Sequence, residues 1–359
     1  MSASSTPRAL FNLQKTNILL ADADAMGQGI IGQMLMGFGA RNIVRCSDVT
    51  ETRRQLAAQS FDLVIMDPSS FGAEGYDIIP WMRREVPPPR AHVSVIVVTG
   101  HTEHARVGKL RDNGANFIVS KPLSAVVLLE RLLWLSRENR PFIEAQSYAG
   151  PDRRWRDQPL PVGVEGRRQK DRDLAVQHRC GRRHEPGRHR HDHEYADGRG
   201  CPAMKVFYPK NALRAALASS EPLLANKALG RAETGLAGIK SECLAHLDKL
   251  LMELDRLPAS GDDKRLGIRN AYDLARRMIG LGAVTGYPQI DQAARSMCDV
   301  ADGVLNRAVI DWAPIRAHID ARKLMRHYDL PPVATGHMLA SLDTLRVKFA
   351  LSAEAGGPV

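Results

Sequence analysis

Five polar side chains close apolar runs in the N-terminal third of this chain, and their types suit phosphate chemistry. Asp22 and Asp24 follow "NILLA", Asp67 follows "DLVIM", Thr99 ends "VSVIVVT" and Lys121 follows "NFIVS". A carboxylate at the end of a buried strand can hold a cation or attack phosphorus, while an amine and a hydroxyl can pair with phosphoryl oxygens. Two chemistries use an acid–x–acid ending of the first strand. In one, the acids hold a metal and another carboxylate accepts the phosphoryl group. In the other, Asp22 is itself the nucleophile and Asp24 the general acid.

The elements that must position these groups alternate. Strand-like runs at 17–22, 43–47, 62–67, 93–100 and 116–121 are separated by helical stretches near 27–37, 51–58, 75–85, 103–113 and 123–137. Unbroken apolar strands between helices imply a five-stranded parallel sheet covered on both faces, an α/β doubly wound fold. Right-handed crossovers bring the carboxyl ends of the strands to one edge, where ligands of such folds bind. Asp22, Asp24, Asp67, Thr99 and Lys121 all fall there.

The segment 16–137 resembles the receiver domain of two-component response regulators, a flavodoxin-like fold. The resemblance rests on "ILLADAD", on "DLVIMDPSSFGAEG" with Gly75 eight residues after the acid, on "VVTG", and on "SKP" with Pro122 after the lysine. It implies Asp67 as phosphoacceptor and Mg²⁺ held by Asp22, Asp24, Asp67 and the backbone carbonyl of Ser69. It also implies that Lys121 and Thr99 contact the phosphoryl group. Mg²⁺ suits oxygen ligands of this kind. The chain departs from the family at three places. The second of the usual adjacent acids is Ala23, the proline four residues after the acceptor is Phe71, and the aromatic switch position is Ile118, with Phe117 beside it.

The rival chemistry resembles haloacid-dehalogenase-type phosphatases. It requires a further acidic pair after the lysine, and "KPLSAVVLLERLLWL" offers only Glu130, inside a helix. The receiver reading gives Asp67 a role that this one lacks. In the helix 123–137, Val126, Val127, Leu128, Leu129, Leu132, Leu133, Trp134 and Leu135 cover more than one docking stripe. Either downstream chain covers the surplus or it forms a homodimer or partner surface.

The net charge of +10 is no clear sign of nucleic-acid binding. Residues 151–203 contribute much of it but mix 13 Lys and Arg with 9 Asp and Glu, with no recognition helix or aromatic platform nearby. Specific nucleic-acid binding is not expected there. Residues 138–208 read as a basic linker rich in Arg, Pro and Gly. Within it, His178, His184, His189, His191 and His193 with Cys180 and Cys201 invite a zinc reading, but the spacing matches no common finger. No apolar run is long enough to span a bilayer, the N-terminal 1–15 reads as a tail, and a cytoplasmic protein is expected.

From 209 to 359 the chain reads as an all-α bundle. A long amphipathic helix is marked by Leu229, Ala232, Leu236, Ile239, Cys243, Leu247, Leu250 and Leu254, and another by Ile290, Ala293, Met297, Val300 and Val304. Shorter helices are expected near 263–281, 311–327 and 334–351. The stretch 275–300 resembles a histidine phosphotransfer domain through Gly280, Gly282, Gly286, Tyr287 and Pro288. In that register the phosphorylatable histidine falls on Arg276, which implies a bundle unable to carry phosphate. The expected function is phosphorelay signalling through protein–protein contacts, not an enzyme activity. The expected partner is a histidine kinase or histidine phosphotransfer protein. A phosphorylation-independent pseudo-receiver scaffold is the alternative.

Overall fold

The computed structural model describes residues 10–100, 110, 112–146, 148–152, 193–195, 204–257, 264–307 and 309–350. Its residues fall into two compact units, one made of the chain up to Glu138 together with the chain from Asn211, the other of Asn139–Lys210.

In the first unit, strands β1 (Asn17–Ala21), β2 (Asn42–Cys46), β3 (Leu63–Met66), β4 (Ser94–Thr99) and β5 (Phe117–Ser120) form a parallel sheet in the order β2-β1-β3-β4-β5. Side chains alternate across it. Ile18, Leu20, Leu63, Ile65, Ile96 and Val98 point to one face; Leu19, Ala21, Val64, Met66, Val95 and Val97 point to the other. Both sets are buried, which is why the strands read as continuous apolar runs rather than alternating ones. Each fully buried Leu, Ile or Val contributes about 2 kcal/mol. The second face is closed by α2 (Val49–Ala58) and α3 (Ile78–Glu85), through Leu56, Ile78, Ile79 and Met82. The expected helix near 103–113 lies largely outside the described residues.

The first face is covered by α1 (Ala25–Gly37) and α4 (Ala125–Arg137), and its core continues into the C-terminal helices. These are α5 (Ala212–Ala218), α6 (Ala225–Gly238), α7 (Lys240–Asp255), α8 (Lys264–Met278), α9 (Leu281–Thr285), α10 (Pro288–Leu305), α11 (Ala313–His327) and α12 (Pro332–Ala350). The long helix expected over 229–254 is in fact two. Ile239 (φ −99°, ψ 5°) leaves helical geometry between α6 and α7, although the apolar period runs straight through the break. The apolar surplus on α4 is mostly covered within the chain, where Val127, Leu133 and Trp134 pack against the shared core and Val126 stays exposed. Asn211 Nδ2 donates to the Leu135 carbonyl at 2.8 Å and Arg214 Nε to that of Ser136 at 2.8 Å, docking α5 on the end of α4. A homodimer through 123–137 has no support beyond the exposed Val126.

Within the bundle, Arg326 grips Asp248 with Nε at 2.7 Å and Nη2 at 2.8 Å and lies 5.0 Å above the Tyr287 ring, tying α11 to α7. The glycines that resemble a phosphotransfer motif have a structural partner. The backbone N–H groups of Gly280, Gly282 and Ala283 all donate to the buried Asp291 carboxylate, at 2.8–2.9 Å. This carboxylate folds the turn between α8 and α10.

The second unit corrects the reading of 138–208 as plain linker. Strands β6 (Phe142–Ala145), β7 (Tyr148–Pro151), β8 (His193–Tyr195) and β9 (Met204–Phe207) form an antiparallel sheet in the order β7-β6-β9-β8. Phe142 pairs with Phe207 across it, ring centroids 5.7 Å apart. His178, Cys180, His184, His189, His191 and Cys201 lie outside the described residues. Among the described residues no helix is long and apolar enough to cross a membrane.

Candidate phosphoacceptor site

Sheet register builds the site. Ala21 pairs with Met66, so the next residues, Asp22 and Asp67, leave neighbouring strands side by side, and the Asp67 N–H donates to the Ala21 carbonyl at 2.9 Å. Thr99 pairs with Ser120 on the adjoining strands, and the Lys121 N–H donates to the Thr99 carbonyl at 2.7 Å. Lys121 then reaches across the edge. Its Nζ donates to Asp67 Oδ2 at 2.8 Å and to Asp22 Oδ2 at 3.0 Å. Asp22 and Asp67 are each 1% exposed, so two buried carboxylates share one buried ammonium.

The electrostatics follow. Burial raises the Asp22 pKa, and the neighbouring Asp67 charge adds to it, against the pull of Lys121. Burial would raise Asp67 too, but Lys121 and then Arg276 outweigh it and hold this carboxyl below the usual range. Burial works against the Lys121 charge, but Asp67 and then Asp22 outweigh it and raise its pKa above the usual lysine value. Asp67 is therefore an ionised carboxylate at neutral pH. Its Oδ1 accepts from the Ser69 N–H at 3.0 Å and from the Ser69 hydroxyl. Gly75, conspicuous in the sequence, is required by close approach: a Cβ there would lie 2.1 Å from the Pro68 carbonyl oxygen.

Asp24 does not join this group. Its Oδ2 accepts from the Gly27 N–H at 3.0 Å as the N-cap of α1, and its Oδ1 faces Arg277 Nε at 3.9 Å. Ala23, in the position of the missing acid, donates its N–H to Ser70 Oγ at 2.9 Å. Among the described residues no three His, Cys, Asp or Glu side chains are grouped to hold a metal ion. With Asp24 turned to its cap and Lys121 already on Asp22 and Asp67, these residues fit the expected Mg²⁺ poorly. The general-acid role of the rival phosphatase reading also loses its group, since Asp24 is engaged as a cap.

Sequence reasoning missed what lies over this edge. Arg276 and Arg277, in the last turn of α8, line a cavity of 640 Å³ together with Ala23, Asp24 and Arg45. Arg295 Nη1 donates to the Lys121 carbonyl at 3.4 Å. Ile279 packs on Gly100, the residue after Thr99. The one hint was Arg276 at the histidine position of the phosphotransfer-like motif. Ile118 packs in the core of the second face, while the Phe117 ring is held edge-on to Trp134 at 4.5 Å.

Residues 18–133 match the family model of the response regulator receiver domain. Residues 18–133 form a receiver domain. The chemotaxis protein CheY of Pseudomonas aeruginosa is 27% identical over 115 residues, covering 32% of this chain and 91% of that protein. The chemotaxis protein CheY-3 of Vibrio cholerae is 24% identical over 115 residues, covering 32% of this chain and 87% of that protein. Among solved structures, the receiver domain of a sensor histidine kinase from Pseudomonas aeruginosa has a magnesium ion coordinated in its active site cleft. It is 24% identical, with a TM-score of 0.30, over 33% of this chain and 93% of that one. The receiver's place in this chain is consistent with two-component signalling.

Proposed function

We propose that Asp67 accepts a phosphoryl group from the phosphohistidine of a histidine kinase or histidine phosphotransfer protein, and that the chain signals by protein–protein contact. The observation that carries this reading is the buried Lys121 shared by Asp67 and Asp22 at the carboxyl edge of the sheet. An Asp67 carboxylate oxygen attacks phosphorus, an O–P bond forms, and the N–P bond to the donor imidazole breaks with its electron pair left on nitrogen. Lys121 stays on Asp22 and exchanges its Asp67 contact for a phosphoryl oxygen. The Thr99 hydroxyl, at the neighbouring strand end, meets a second oxygen. Acting through a kinase or phosphotransfer partner fits a cytoplasmic location. The helical bundle acts as a phosphotransfer-like module without its histidine, since a guanidinium at Arg276 is no nucleophile.

Acetyl phosphate tests the reaction. Intact mass should show one added phosphoryl group on the full chain, and Asp67→Asn should abolish it. Addition that persists in that variant would place the acceptor elsewhere.

A phosphorylation-independent scaffold is the second reading. The observation in its favour is the 1% exposure of Asp67.

A further inference from the structure

The acceptor edge has lost an anion and gained cations. Receiver-type chemistry places about two negative charges on the phosphorylated acid. Beside it stand Asp22 and a single cation, Lys121, shared between Asp22 and the acceptor. A dianionic group there is undercompensated, and this site lacks the acidic ligands that would recruit a divalent cation: Ala23 has no carboxylate and Asp24 is an N-cap.

The bundle supplies positive charge at the same place. The C-terminal turn of α8 is docked on the edge at several points. Arg277 Nε lies 3.9 Å from Asp24 Oδ1. The Ile279 side chain sits so close to Gly100 that a Cβ there would approach Ile279 Cδ1 to 3.0 Å. From α10, Arg295 contacts the Lys121 carbonyl at 3.4 Å. Arg276, next to Arg277 on α8, lines the cavity beside Ala23 with Arg45 and Arg277, and Asp24 and Glu242 offset only part of that charge. A guanidinium offers a planar fork of donors that matches phosphoryl oxygens in pairs.

We propose that Arg276 completes the acceptor site in cis, holding the phosphoryl oxygens on Asp67 from the helical bundle and so taking over much of the charge neutralisation that a metal ion would provide. The proposal rests on Asp67 as phosphoacceptor and adds the residue that reads and stabilises the phosphorylated state. A further observation agrees with it. The receiver and bundle share one continuous core, so the arginine belongs to the same folded unit as the acid.

The experiment uses the full chain with acetyl phosphate, in Mg²⁺ and in EDTA, following phosphorylation by intact mass and the thermal midpoint with beryllofluoride as phosphoryl analogue. The wild type should label in EDTA at a rate comparable to that in Mg²⁺, and beryllofluoride should raise its midpoint in both. Arg276→Gln should lose about tenfold or more of the EDTA rate, together with the midpoint shift. Arg276→Lys should recover part of both, because the charge returns without the fork. Equal or faster labelling of Arg276→Gln in EDTA would overturn the role of Arg276 while leaving Asp67 as acceptor. So would a wild type that labels only with Mg²⁺. A wild type that takes no label under either condition would overturn the acceptor reading itself and this proposal with it. A midpoint of the unliganded Arg276→Gln protein equal to the wild type separates these outcomes from misfolding, and Arg276→Ala gives a second truncation if it is not.

Discussion

Gly37 on α1 and Ala232 on α6 touch backbone to backbone: a Cβ on Gly37 would lie 2.4 Å from both the Cα and the N of Ala232. This contact fuses the receiver to the bundle, because α1 is thereby buried on both its sheet-facing and bundle-facing sides. Gly37→Ala must push the helices apart, and overpacking of this kind costs about 1–3 kcal/mol. Gly29, on the same helix, has nothing within 4 Å of its would-be Cβ, so Gly29→Ala should gain about 0.5–1 kcal/mol from helix propensity. Denaturant titration of both variants checks the opposite signs. Equal effects would mean that the α1–α6 contact is loose in solution.

The same shared core predicts how the chain melts. Ile18, Leu20 and Ile96 of the sheet lie in one cluster with Cys243, Leu247, Ile290 and Met297 of the bundle. Receiver and bundle should therefore unfold in one cooperative transition, with near-UV and far-UV circular dichroism changing together. Two resolved transitions would show that the interface is weaker than its packing implies.

The receiver's strands were legible because each is a short unbroken apolar run, and burial on both faces demands that pattern. Asp22, Asp67, Thr99 and Lys121 were legible because each closes such a run, and parallel register carries strand ends to one edge. Three features had no comparable signal. The break at Ile239 lies inside a continuous apolar period, so the periodicity that marks a helix concealed that there are two. The β6–β9 pairing joins Phe142 to Phe207 across a long, polar and aperiodic stretch. The arrival of Arg276 in the cavity beside Ala23 is a tertiary event, set by the packing of the bundle on α1 and of α8 within the bundle rather than by any local pattern. Asp24 misled for a related reason: spacing brings an acid near the edge, but the start of α1 claims its carboxylate as a cap.

Lys121 compensates two buried acids, so its removal should be costly. Lys121→Met leaves Asp22 and Asp67 facing each other without a cation, a loss of about 3–5 kcal/mol at neutral pH. In that variant burial raises the carboxyl pKa values above the unfolded value. Such groups favour the folded state below the unfolded value and lose that contribution as pH rises, so the gap from wild type should narrow on acidification. Chemical denaturation at pH 7 and pH 4.5 measures it. A gap independent of pH would show that the acids do not titrate against each other.

His318 predicts a second pH dependence, inside the bundle. Its Nδ1 donates to the Pro314 carbonyl at 2.7 Å, which leaves Nε2, 2.9 Å from Ser296 Oγ, to accept. Burial, helped by the nearby Arg322, lowers its pKa to about 4 from 6.5. The unfolded chain thus binds this proton first as pH falls. Stability present above pH 6.5 should decline by about 3 kcal/mol on going down to pH 4. His318→Gln should flatten that limb while lowering stability at pH 7. A wild-type profile level between pH 6.5 and 4 would mean that His318 is not held neutral.

Ala23→Asp restores the acid that the first strand lacks and tests the gap directly. Ala23 is exposed, so the new carboxylate can be solvated without divalent cations, at a small cost from the like charges of Asp22 and Asp24. With Mg²⁺ the balance reverses, because a third oxygen ligand joins Asp22 and Asp67 at one edge. A charged contact of this kind contributes on the order of 1–3 kcal/mol, about tenfold or more in affinity. The thermal midpoint of the variant should therefore fall slightly in EDTA and rise in Mg²⁺ by more than that of the wild type. The wild type should respond weakly, as expected where Arg277 faces Asp24 and Arg276 lines the cavity beside Ala23. If Ala23→Asp leaves the Mg²⁺ response unchanged, either Asp24 leaves its cap to serve the ion, or the α8 arginines keep the edge too positive for a second cation. Asp24→Asn separates the two: it weakens the wild-type Mg²⁺ response in the first case and leaves it as it was in the second.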